Sequence, residues 1–529
     1  MIEITLQIIA TVVCTALYVL ATQKLLGAMQ QSGYKNGAFW GWLSQKGNMF
    51  FNRLSVLAYS IALSVCVMAL CFSFLGTRIT WLISAIPFLV FTIVFLLSDR
   101  KFALKVPVNY TGRAVRLNVV YTVLTSAFFF GVIRLLGFLR DVNGSDLYSV
   151  IAYVPFAVAI LCLPLILTLA NVIASPFENA RNGKFVKRAG QVLNQTQIIR
   201  VGVVGSYGKT SVKNIVKTLL EEKYSVVCTP ASFNTPMGIA KTVLSPDFAQ
   251  KQVLIAEMGA RRKGDIKQLC ALVKPEYAVF TGVCRQHVQT FGNEQNVLAE
   301  KSEIIQSGAV TVCGDSLKGK VDETENVRFV NADCIQDVEL QATQTKFTLV
   351  LGEDKAELCV PLLGESAIEN IALGVTLALE MGLTFAEIKN GLAKLQPVPH
   401  RLQLIENGGV YILDDAYNAN EKGAKMAIQA LSAFDGRKCI VTPGIVECGV
   451  LEAQLNETLG EEIARANLDK VILVGETLIG AVKNGYLQAG GAKENLTTVK
   501  TLAGAQAQLK DWLAVGDAVL FLNDLPDVY

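Results

Sequence analysis

The chain has 529 residues, of which 52% are hydrophobic and 18% charged, and its formal net charge is +3. This length excludes a single ordinary domain. Before Ser175 the sequence holds 12 basic and 4 acidic side chains, whereas the remainder holds 36 basic and 41 acidic ones. The composition therefore excludes a protein that is soluble throughout. The net positive charge is an average of two unlike parts, so it gives no support to nucleic-acid binding.

Five apolar runs are long enough to cross a bilayer as helices. They cover residues 4–22, 55–75, 79–98, 119–138 and 148–173. Basic residues collect in the first and third connecting loops and after the fifth run, which predicts an N-terminus outside the cell and a cytoplasmic C-terminal part. We therefore expect residues 1–175 to form a transmembrane domain in the cell membrane. Arg134, inside the fourth run, either snorkels to the interface or contacts an anionic group.

Residues 198–220 predict a strand, a turn and a helix, with the sequence Gly-Ser-Tyr-Gly-Lys-Thr-Ser in the turn. The glycines let backbone amides face a phosphate group, to which the helix N-terminus adds positive potential. Lys209 can reach the terminal phosphates of a nucleotide, and the Thr210 hydroxyl can bind Mg²⁺. The predicted nucleotide-binding residues of this loop are Gly205, Ser206, Tyr207, Gly208, Lys209, Thr210 and Ser211.

This loop is shorter than the usual P-loop and resembles the ATP loop of the Mur ligases, which build the peptide stem of the bacterial cell wall. Further motifs follow in the order of that family. They are Ser-Phe-Asn-Thr-Pro-Met-Gly-Ile at 232–239, Glu-Met-Gly-Ala at 257–260, Thr281 to Gly292, Lys-Ser-Glu-Ile at 301–304, Asn370, His-Arg-Leu at 400–402 and Asp-Asp-Ala-Tyr-Asn-Ala-Asn at 414–420. The motifs at 257–260 and 414–420 are most similar to those of the MurF branch, which adds D-alanyl-D-alanine to UDP-MurNAc-tripeptide.

The resemblance covers about residues 177–529 and implies a multi-domain fold. A bundle of about five transmembrane helices would be followed by an α/β P-loop central domain over 176–398. A Rossmann-like α/β C-terminal domain over 399–529 would close over the nucleotide. The resemblance also implies ATP and Mg²⁺ as cofactors.

Three residues are implied as metal ligands beside Thr210. Glu257 follows an apolar strand, so its carboxylate emerges where an α/β sheet binds its ligand, and a hard oxygen suits Mg²⁺. In the family this glutamate binds the metal, and the histidine that matches His287 contacts a second magnesium. The lysine that matches Lys301 is carbamylated by CO₂ and becomes an anionic metal ligand. We therefore expect Lys209, His287 and Lys301 to be the catalytic residues.

The remaining nucleotide contacts are also implied by the resemblance. Asn370, which we expect to open a helix over 370–380, matches the position that hydrogen-bonds adenine. Asp415 should hydrogen-bond the ribose, and Arg401 should lie near the phosphates. The segment 364–367 departs from the family pattern, as does 442–449, so the finer contacts there do not transfer. Tyr417, Asn418 and Asn420 are expected to face the amine or the nucleotide.

The resemblance implies an ATP-dependent amide ligase that works through an acyl phosphate. Two acceptors remain open. One is a soluble UDP-MurNAc-peptide that receives D-alanyl-D-alanine, and the other is a lipid-linked cell-wall precursor or a polyglutamate-like chain that receives an amino acid or dipeptide. The family motifs favour the first acceptor, and the apolar runs, which replace the domain that grips the UDP-sugar, favour the second. An ATP-driven transporter is disfavoured, because the strand ending at Glu257 lacks the Asp-Glu pair of transport ATPases. A scaffold without activity is also disfavoured, because the motif residues are retained.

Overall fold

Apolar helices form the first of two units into which the chain divides, with the boundary after Asn182. The computed structural model describes residues 2–45, 48–72, 77–99, 107–143, 153–230, 233–284, 291–417, 420–446 and 448–523. His287, predicted to bind a metal, and Asn418, predicted to face the amine or the nucleotide, lie outside these ranges.

Long apolar sequences account for the helices that begin in this first unit. They are α1 (Ile2–Ala21), α2 (Gln23–Gln31), α3 (Asn36–Gln45), α4 (Asn48–Phe72), α5 (Thr77–Asp99), α6 (Gly112–Asn143), α7 (Tyr153–Val158) and α8 (Leu163–Gln195). A 3₁₀ turn, Ala159–Cys162, precedes α8. Buried aromatic side chains pack at the centre of this unit, where the rings of Tyr18 and Phe129 stack with their centroids 5.4 Å apart.

Within the described residues, three segments are long and apolar enough to cross a membrane, as judged by length and composition: Phe51–Met68, Gly112–Leu135 and Ala159–Gln195. The pair Gln7–Ala21 and Gln23–Gln31, bent by 47°, meets the same criteria when taken together, and Ile86–Asp99 is a shorter apolar helix. Within the described residues, each of the five predicted runs overlaps with helix. Helix α8 starts at Leu163, inside the fifth run, and continues beyond residue 173 to Gln195.

Two carboxylates of the first unit form ion pairs with basic side chains. The Arg116 guanidinium makes two hydrogen bonds to the Glu178 carboxylate, one of them with Nη2 and Oε2 2.9 Å apart, and thereby ties α6 to α8. Asp99 at the end of α5 accepts from Lys24 and from Arg53, each with an N–O distance of 2.8 Å. Such pairing offsets the free-energy cost of placing charge among apolar helices.

A parallel sheet organises the first half of the second unit, and its strands are β1 (Ile199–Val204), β2 (Val226–Cys228), β3 (Val253–Glu257), β4 (Tyr277–Phe280), β5 (Val310–Cys313) and β6 (Val327–Phe329). Their order is β2-β3-β1-β4-β5-β6. Helices cover this sheet, which explains why β1 and β3 are continuous apolar runs rather than alternating ones. The helices are α9 (Lys209–Leu220), α10 (Pro236–Val243), α11 (Asp265–Val273), α12 (Glu294–Ser302), α13 (Glu365–Glu380) and α14 (Phe385–Ala393).

A separate antiparallel sheet of three strands, β7 (Ile335–Leu340), β8 (Thr345–Leu351) and β9 (Asp354–Val360), lies between β6 and α13 in the chain. Phe347 and Leu349 of β8 are buried and belong to the same apolar core as β1 and α13. The small sheet is therefore an extension of the central domain.

The C-terminal domain is a second α/β sheet with the strand order β10-β11-β15-β12-β13-β14. Its strands are β10 (Gln403–Asn407), β11 (Val410–Asp415), β12 (Lys438–Thr442), β13 (Lys470–Val474), β14 (Leu496–Val499) and β15 (Ala518–Leu522). Only the β10–β11 pair is antiparallel among the described strand pairs of this sheet. Its helices are α15 (Glu421–Ser432), α16 (Glu452–Arg465), α17 (Ile479–Gln488) and α18 (Leu502–Trp512). This Rossmann-like layering confirms the fold predicted for the region.

Candidate nucleotide and magnesium site

The loop between β1 and α9 depends on glycine at two positions. Gly208 has a φ of 71°, in the left-handed region that disfavours other residues, and a Cβ there would lie 2.6 Å from Asn370 Oδ1. A Cβ on Gly205 would collide with Thr281 Oγ1. The two glycines therefore allow Asn370 from α13 and Thr281 from the end of β4 to approach the loop backbone.

Two lysine side chains meet on one carbonyl oxygen of this loop. Lys209 Nζ lies 2.8 Å from Gly205 O, and Lys301 Nζ lies 2.7 Å from the same oxygen. Burial lowers the pKa of Lys209. Burial, with a smaller contribution from the charge of Lys209, lowers the pKa of Lys301 to about 7. The sequence places these two residues 92 positions apart, and the fold joins them at the phosphate loop.

Glu257 lies at the carboxyl end of β3, where its carboxylate faces the start of α9. The Thr210 hydroxyl donates to Glu257 Oε2 over 3.1 Å, and Lys213 Nζ donates to the same oxygen over 3.0 Å. Glu257 is 2% exposed and Lys213 is 1% exposed. A hydroxyl and a carboxylate oxygen in contact are hard donors of the kind that Mg²⁺ prefers, so Thr210 and Glu257 fit a magnesium ion.

Lys213 was missed by the sequence analysis. It shares one helical face with Val216 and Leu220, three and seven residues later, both of which are buried. A lysine on an apolar helical face, one turn after the loop lysine, was the available signal. Only the fold shows that its ammonium reaches Glu257, because the two residues are 44 positions apart.

The C-terminal domain contributes Arg401 and Asp415 to the site. Arg401 Nη2 is 3.5 Å from the Thr210 hydroxyl oxygen, and the guanidinium lies over the Tyr417 ring, 4.1 Å from its centroid. Asp415 Oδ1 accepts from the Leu402 backbone N–H over 3.1 Å. Burial raises the pKa of the Asp415 carboxyl to about 6, although the nearby Arg401 acts in the opposite direction.

A pocket of about 320 Å³ opens beside the loop, between α9, α13 and the segment before β10. Ser211, Asn370 and Arg401 line it together with Pro397 and Pro399. Asn370 is 8% exposed. The expected start of its helix at residue 370 is wrong, because α13 begins at Glu365 after Gly364, whose left-handed φ of 73° ends the preceding extended segment. Asn370 therefore lies in the second turn, with its side chain against the loop.

Tyr207 and Lys422 connect the loop to both domains. The Tyr207 hydroxyl lies 3.2 Å from Ser316 Oγ, and Lys422 Nζ stands 4.5 Å from the centroid of the Tyr207 ring. Lys422 also pairs with Glu369 of α13 at 2.7 Å. Lys422 is a second residue that the sequence analysis missed, and it brings α15 of the C-terminal domain against the phosphate loop.

Comparison with known proteins identifies the family. The Mur ligase middle domain matches residues 203–378, and the Mur ligase glutamate ligase domain matches residues 400–522. The chain belongs to the Mur ligase family. Together the two matches cover more than half of its length.

The curated relatives of this Mur ligase include two enzymes named UDP-N-acetylmuramoyl-tripeptide–D-alanyl-D-alanine ligase. The one from Bacillus subtilis is 29% identical over 341 residues, which is 61% of this chain and 72% of the relative. The one from Escherichia coli is 29% identical over 311 residues, which is 55% of this chain and 68% of the relative. The similarity makes the chain a MurF-like Mur ligase and an ATP-dependent amide ligase of peptidoglycan synthesis.

Solved structures agree on the fold. MurF from Thermotoga maritima, solved in complex with ADP, has a TM-score of 0.59 and 28% identity, over 65% of this chain and 80% of that one. MurF from Acinetobacter baumannii has the same TM-score at 22% identity, over 65% and 77% of the two chains. The central and C-terminal domains of this Mur ligase therefore have the MurF-like fold.

The structure brings most of the predicted site residues of this Mur ligase together. Lys209, Thr210, Glu257, Lys301 and Arg401 surround the loop, joined by the contacts described above. Ser206 Oγ is buried and has no hydrogen-bond partner within the described part of the chain, as suits a loop that receives phosphate oxygens. In that part of the chain no three His, Cys, Asp or Glu side chains form a metal-binding group. Among the described residues, Thr210 and Glu257 are the oxygen donors that lie in contact at this loop.

Two of the expected amine-facing residues have local structural partners. Asn420 caps α15, with its side chain accepting from the Gly423 backbone N–H over 2.9 Å. The Tyr417 ring lies under Arg401. The structure thus places both residues at the start of α15, and their role towards the amine or the nucleotide stays a prediction.

Proposed function

We propose that this Mur ligase adds D-alanyl-D-alanine to a UDP-MurNAc-peptide at the expense of ATP. The observation that carries the proposal is the convergence of Lys209, Lys301 and Glu257 on the loop of a chain that aligns with MurF enzymes through both catalytic domains. The pocket lined by Asn370 and Arg401 lies directly beside that loop and suits the nucleotide base and sugar.

The proposed reaction has two steps. A carboxylate oxygen of the acceptor attacks the γ-phosphorus of ATP, the bond to the β-phosphate oxygen breaks, and ADP leaves. The nitrogen of the incoming amine then attacks the acyl carbon, phosphate leaves with the oxygen, and the amine gives up a proton to solvent. Each turnover therefore yields one amide, one ADP and one phosphate.

The residues of this chain would act mainly by position and charge. The Lys209 ammonium would leave Gly205 O for the transferring phosphoryl group, whose negative charge it stabilises. Arg401 would hold the C-terminal domain on the phosphate side of the site, and closure would exclude water from the acyl phosphate. Magnesium, when bound at Thr210 and Glu257, supplies further neutralisation of phosphate charge.

Lys301 is proposed to carry a carbamate. Its side chain is 2% exposed, and its nitrogen lies beside a second ammonium on Gly205 O, a position where loss of positive charge relieves repulsion. The neutral amine would attack CO₂, forming an N–C bond, and the displaced proton would pass to solvent. Incubation with ¹³C-bicarbonate should give a carbamate carbon resonance in the wild type that is missing in Lys301→Met. The same resonance in the variant would contradict the assignment.

The experiment that tests the ligase proposal is amine-dependent ADP release. Purified protein receives ATP, Mg²⁺ and either UDP-MurNAc-tripeptide or its undecaprenyl-linked counterpart, with D-alanyl-D-alanine or single amino acids as the amine. Stoichiometric ADP and peptide product with the soluble precursor and D-alanyl-D-alanine is the expected result. Turnover with other amines alone would contradict the substrate assignment while retaining the ligase assignment.

A lipid-linked precursor is the second candidate acceptor. The observation that favours it is the set of apolar helices between Ile2 and Gln195, whose described residues include three segments long and apolar enough to span a bilayer. Such helices would keep the catalytic domains near a membrane-bound substrate. Activity on the undecaprenyl-linked precursor together with none on the soluble one would establish this alternative.

The first unit is proposed to cross the cell membrane, with the N-terminus outside and the catalytic domains in the cytoplasm. The basic residues near its helix ends, Lys24 and Arg53 at one end and Arg113 and Arg116 at the start of α6, support this orientation. Fusion of green fluorescent protein after residue 195 should give fluorescent cells, whereas alkaline phosphatase at the same position should be inactive. Active phosphatase at that position would reverse the proposed orientation.

A further inference from the structure

A buried ion pair stands beside the proposed magnesium ligands. Lys213 Nζ is 3.0 Å from Glu257 Oε2, and the two side chains are each 2% exposed. Removing two charges from water costs several kcal/mol per ion, and apolar replacements of such pairs are often as stable or more stable. The stability of the fold therefore does not explain why a lysine occupies this position.

The geometry around the pair is specific. Lys213 Nζ also donates to the Thr229 carbonyl oxygen over 2.9 Å, and the Thr229 hydroxyl accepts from the Glu257 backbone N–H over 3.0 Å. Thr229 is 0% exposed. Helix α9 and the ends of β2 and β3 are thus joined by a network that fixes both the backbone and the side chain of Glu257.

One oxygen of the Glu257 carboxylate accepts two hydrogen bonds. Oε2 accepts from both Lys213 and the Thr210 hydroxyl, so the carboxylate cannot rotate without losing both of them. With Oε2 engaged in this way, the other oxygen, Oε1, is the one that we assign to the metal. An oxygen donor whose direction is set before the metal arrives is what a site with strict octahedral geometry requires.

We propose that Lys213 is a positioning residue that fixes the Glu257 carboxylate for magnesium. The inference rests on the proposed nucleotide site and concerns the affinity for the metal–nucleotide complex rather than the identity of the acceptor. Lys213 would make no contact with the nucleotide. Its effect would pass entirely through Glu257.

The test measures the dissociation constant of ADP by calorimetry, once in Mg²⁺ and once in EDTA, for the full-length protein. In the wild type Mg²⁺ should tighten ADP binding. In Lys213→Met the ratio of the dissociation constant in EDTA to that in Mg²⁺ should be about tenfold smaller than in the wild type. The dissociation constant in EDTA should be unchanged. Lys267→Met, the same change at an exposed lysine of α11, is the matched control and should alter neither value.

A double-mutant cycle separates positioning from a general structural effect. In the Glu257→Gln background, Lys213→Met should produce no further change in the Mg²⁺ effect, because the two residues act as one unit. A reduction of equal size in both backgrounds, or a loss of ADP affinity in EDTA, would overturn the proposal. If ADP failed to bind the wild type under either condition, the nucleotide site itself would be refuted instead.

Folding is monitored by the thermal midpoint of each variant. If Lys213→Met is too unstable to assay, Lys213→Gln keeps a donor for the Thr229 carbonyl without the charge. Its dissociation constants for ADP in Mg²⁺ and in EDTA are then compared in the same way. The paired replacement Lys213→Met with Glu257→Leu should have a midpoint near that of the wild type. Retention of the full Mg²⁺ effect in Lys213→Gln would contradict positioning by the charge.

Discussion

The two units of this protein place charge in opposite ways. In the catalytic unit, Lys209 and Lys301 share one carbonyl oxygen, and burial lowers the pKa of both. In the helical unit, Arg116 makes two hydrogen bonds to the Glu178 carboxylate, and Asp99 forms ion pairs with Lys24 and Arg53. At the phosphate loop two like charges therefore meet, whereas Arg116, Lys24 and Arg53 of the helical unit each have a carboxylate partner.

The difference reflects what each unit has to do. Two buried cations that share one carbonyl oxygen cost free energy, which a folded protein tolerates when a polyanionic substrate restores the balance. Paired charges among apolar helices carry no such demand and serve to join helices. The crowded cations therefore mark the proposed phosphate site, whereas the ion pairs of the helical unit join its helices.

Removal of Lys209 should give the largest effect. Lys209→Ala should lower amine-dependent ADP release by about 10²–10³-fold, because a preorganised cation at the transferring phosphoryl group is lost. Lys223→Ala, at an exposed lysine just after α9, is the control and should retain activity. Wild-type turnover in Lys209→Ala would show that the crowded cations are structural, which would remove the contrast between the two units.

Asp415→Asn should stabilise the protein at the expense of nucleotide binding. Burial gives the carboxyl a pKa of about 6 in the folded state, against an ordinary value of 3.8. As the pH rises through this range, the unfolded state ionises more readily than the folded state, and the free energy of unfolding of the wild type falls. The variant should be more stable than the wild type by about 2–3 kcal/mol above pH 7 and no more stable below pH 3.8. Thermal unfolding measured from about pH 3 to pH 8 tests this prediction.

The same variant should bind ADP more weakly, because Asp415 is the expected ribose contact. A gain in stability with no loss of affinity would mean that the raised pKa has no connection with the nucleotide. A gain that did not depend on pH would place its origin elsewhere than in the carboxyl charge.

Glu178→Gln should show the structural role of pairing in the helical unit. Loss of charge from a bidentate pair whose carboxylate is buried should cost about 1–2 kcal/mol, because charge-assisted hydrogen bonds weaken to neutral ones. The thermal midpoint in detergent should fall while ATP turnover per folded molecule is unchanged. A cycle with Arg116→Gln isolates the pair, and additive effects would contradict a direct interaction.

Arg134→Gln should have the smallest effect. Its Nη1 donates to Gln7 Oε1 over 3.2 Å, and its side chain is exposed, so the substitution removes no buried ion pair. The free energy of unfolding should therefore change by no more than about 0.5 kcal/mol, and the thermal midpoint should shift only slightly. A large loss, restored by added anionic lipid, would favour the alternative that Arg134 binds an anion.

Much of the catalytic fold and part of the site could be predicted from the sequence, because those features are local. The glycines, Lys209 and Thr210 occupy one strand–turn–helix segment, so their spacing alone predicts a phosphate loop, and Glu257 ends an apolar strand. The start of α13 was predicted wrongly, because the helix begins directly after Gly364, whose φ is 73°. Helix α8 continues beyond the fifth apolar run to Gln195, through polar sequence in which hydropathy alone gives no helix signal.

The sequence by itself determined the two compositions, the order of the strands along the chain and the chemical types available to the site. The tertiary structure alone decided which distant side chains meet, as when Lys301 reaches Gly205 and Lys213 reaches Glu257. The reason is physical. Periodicity and spacing report on neighbours along one element, whereas the approach of α9, β3 and α12 to a common point depends on how the sheet and its helices pack.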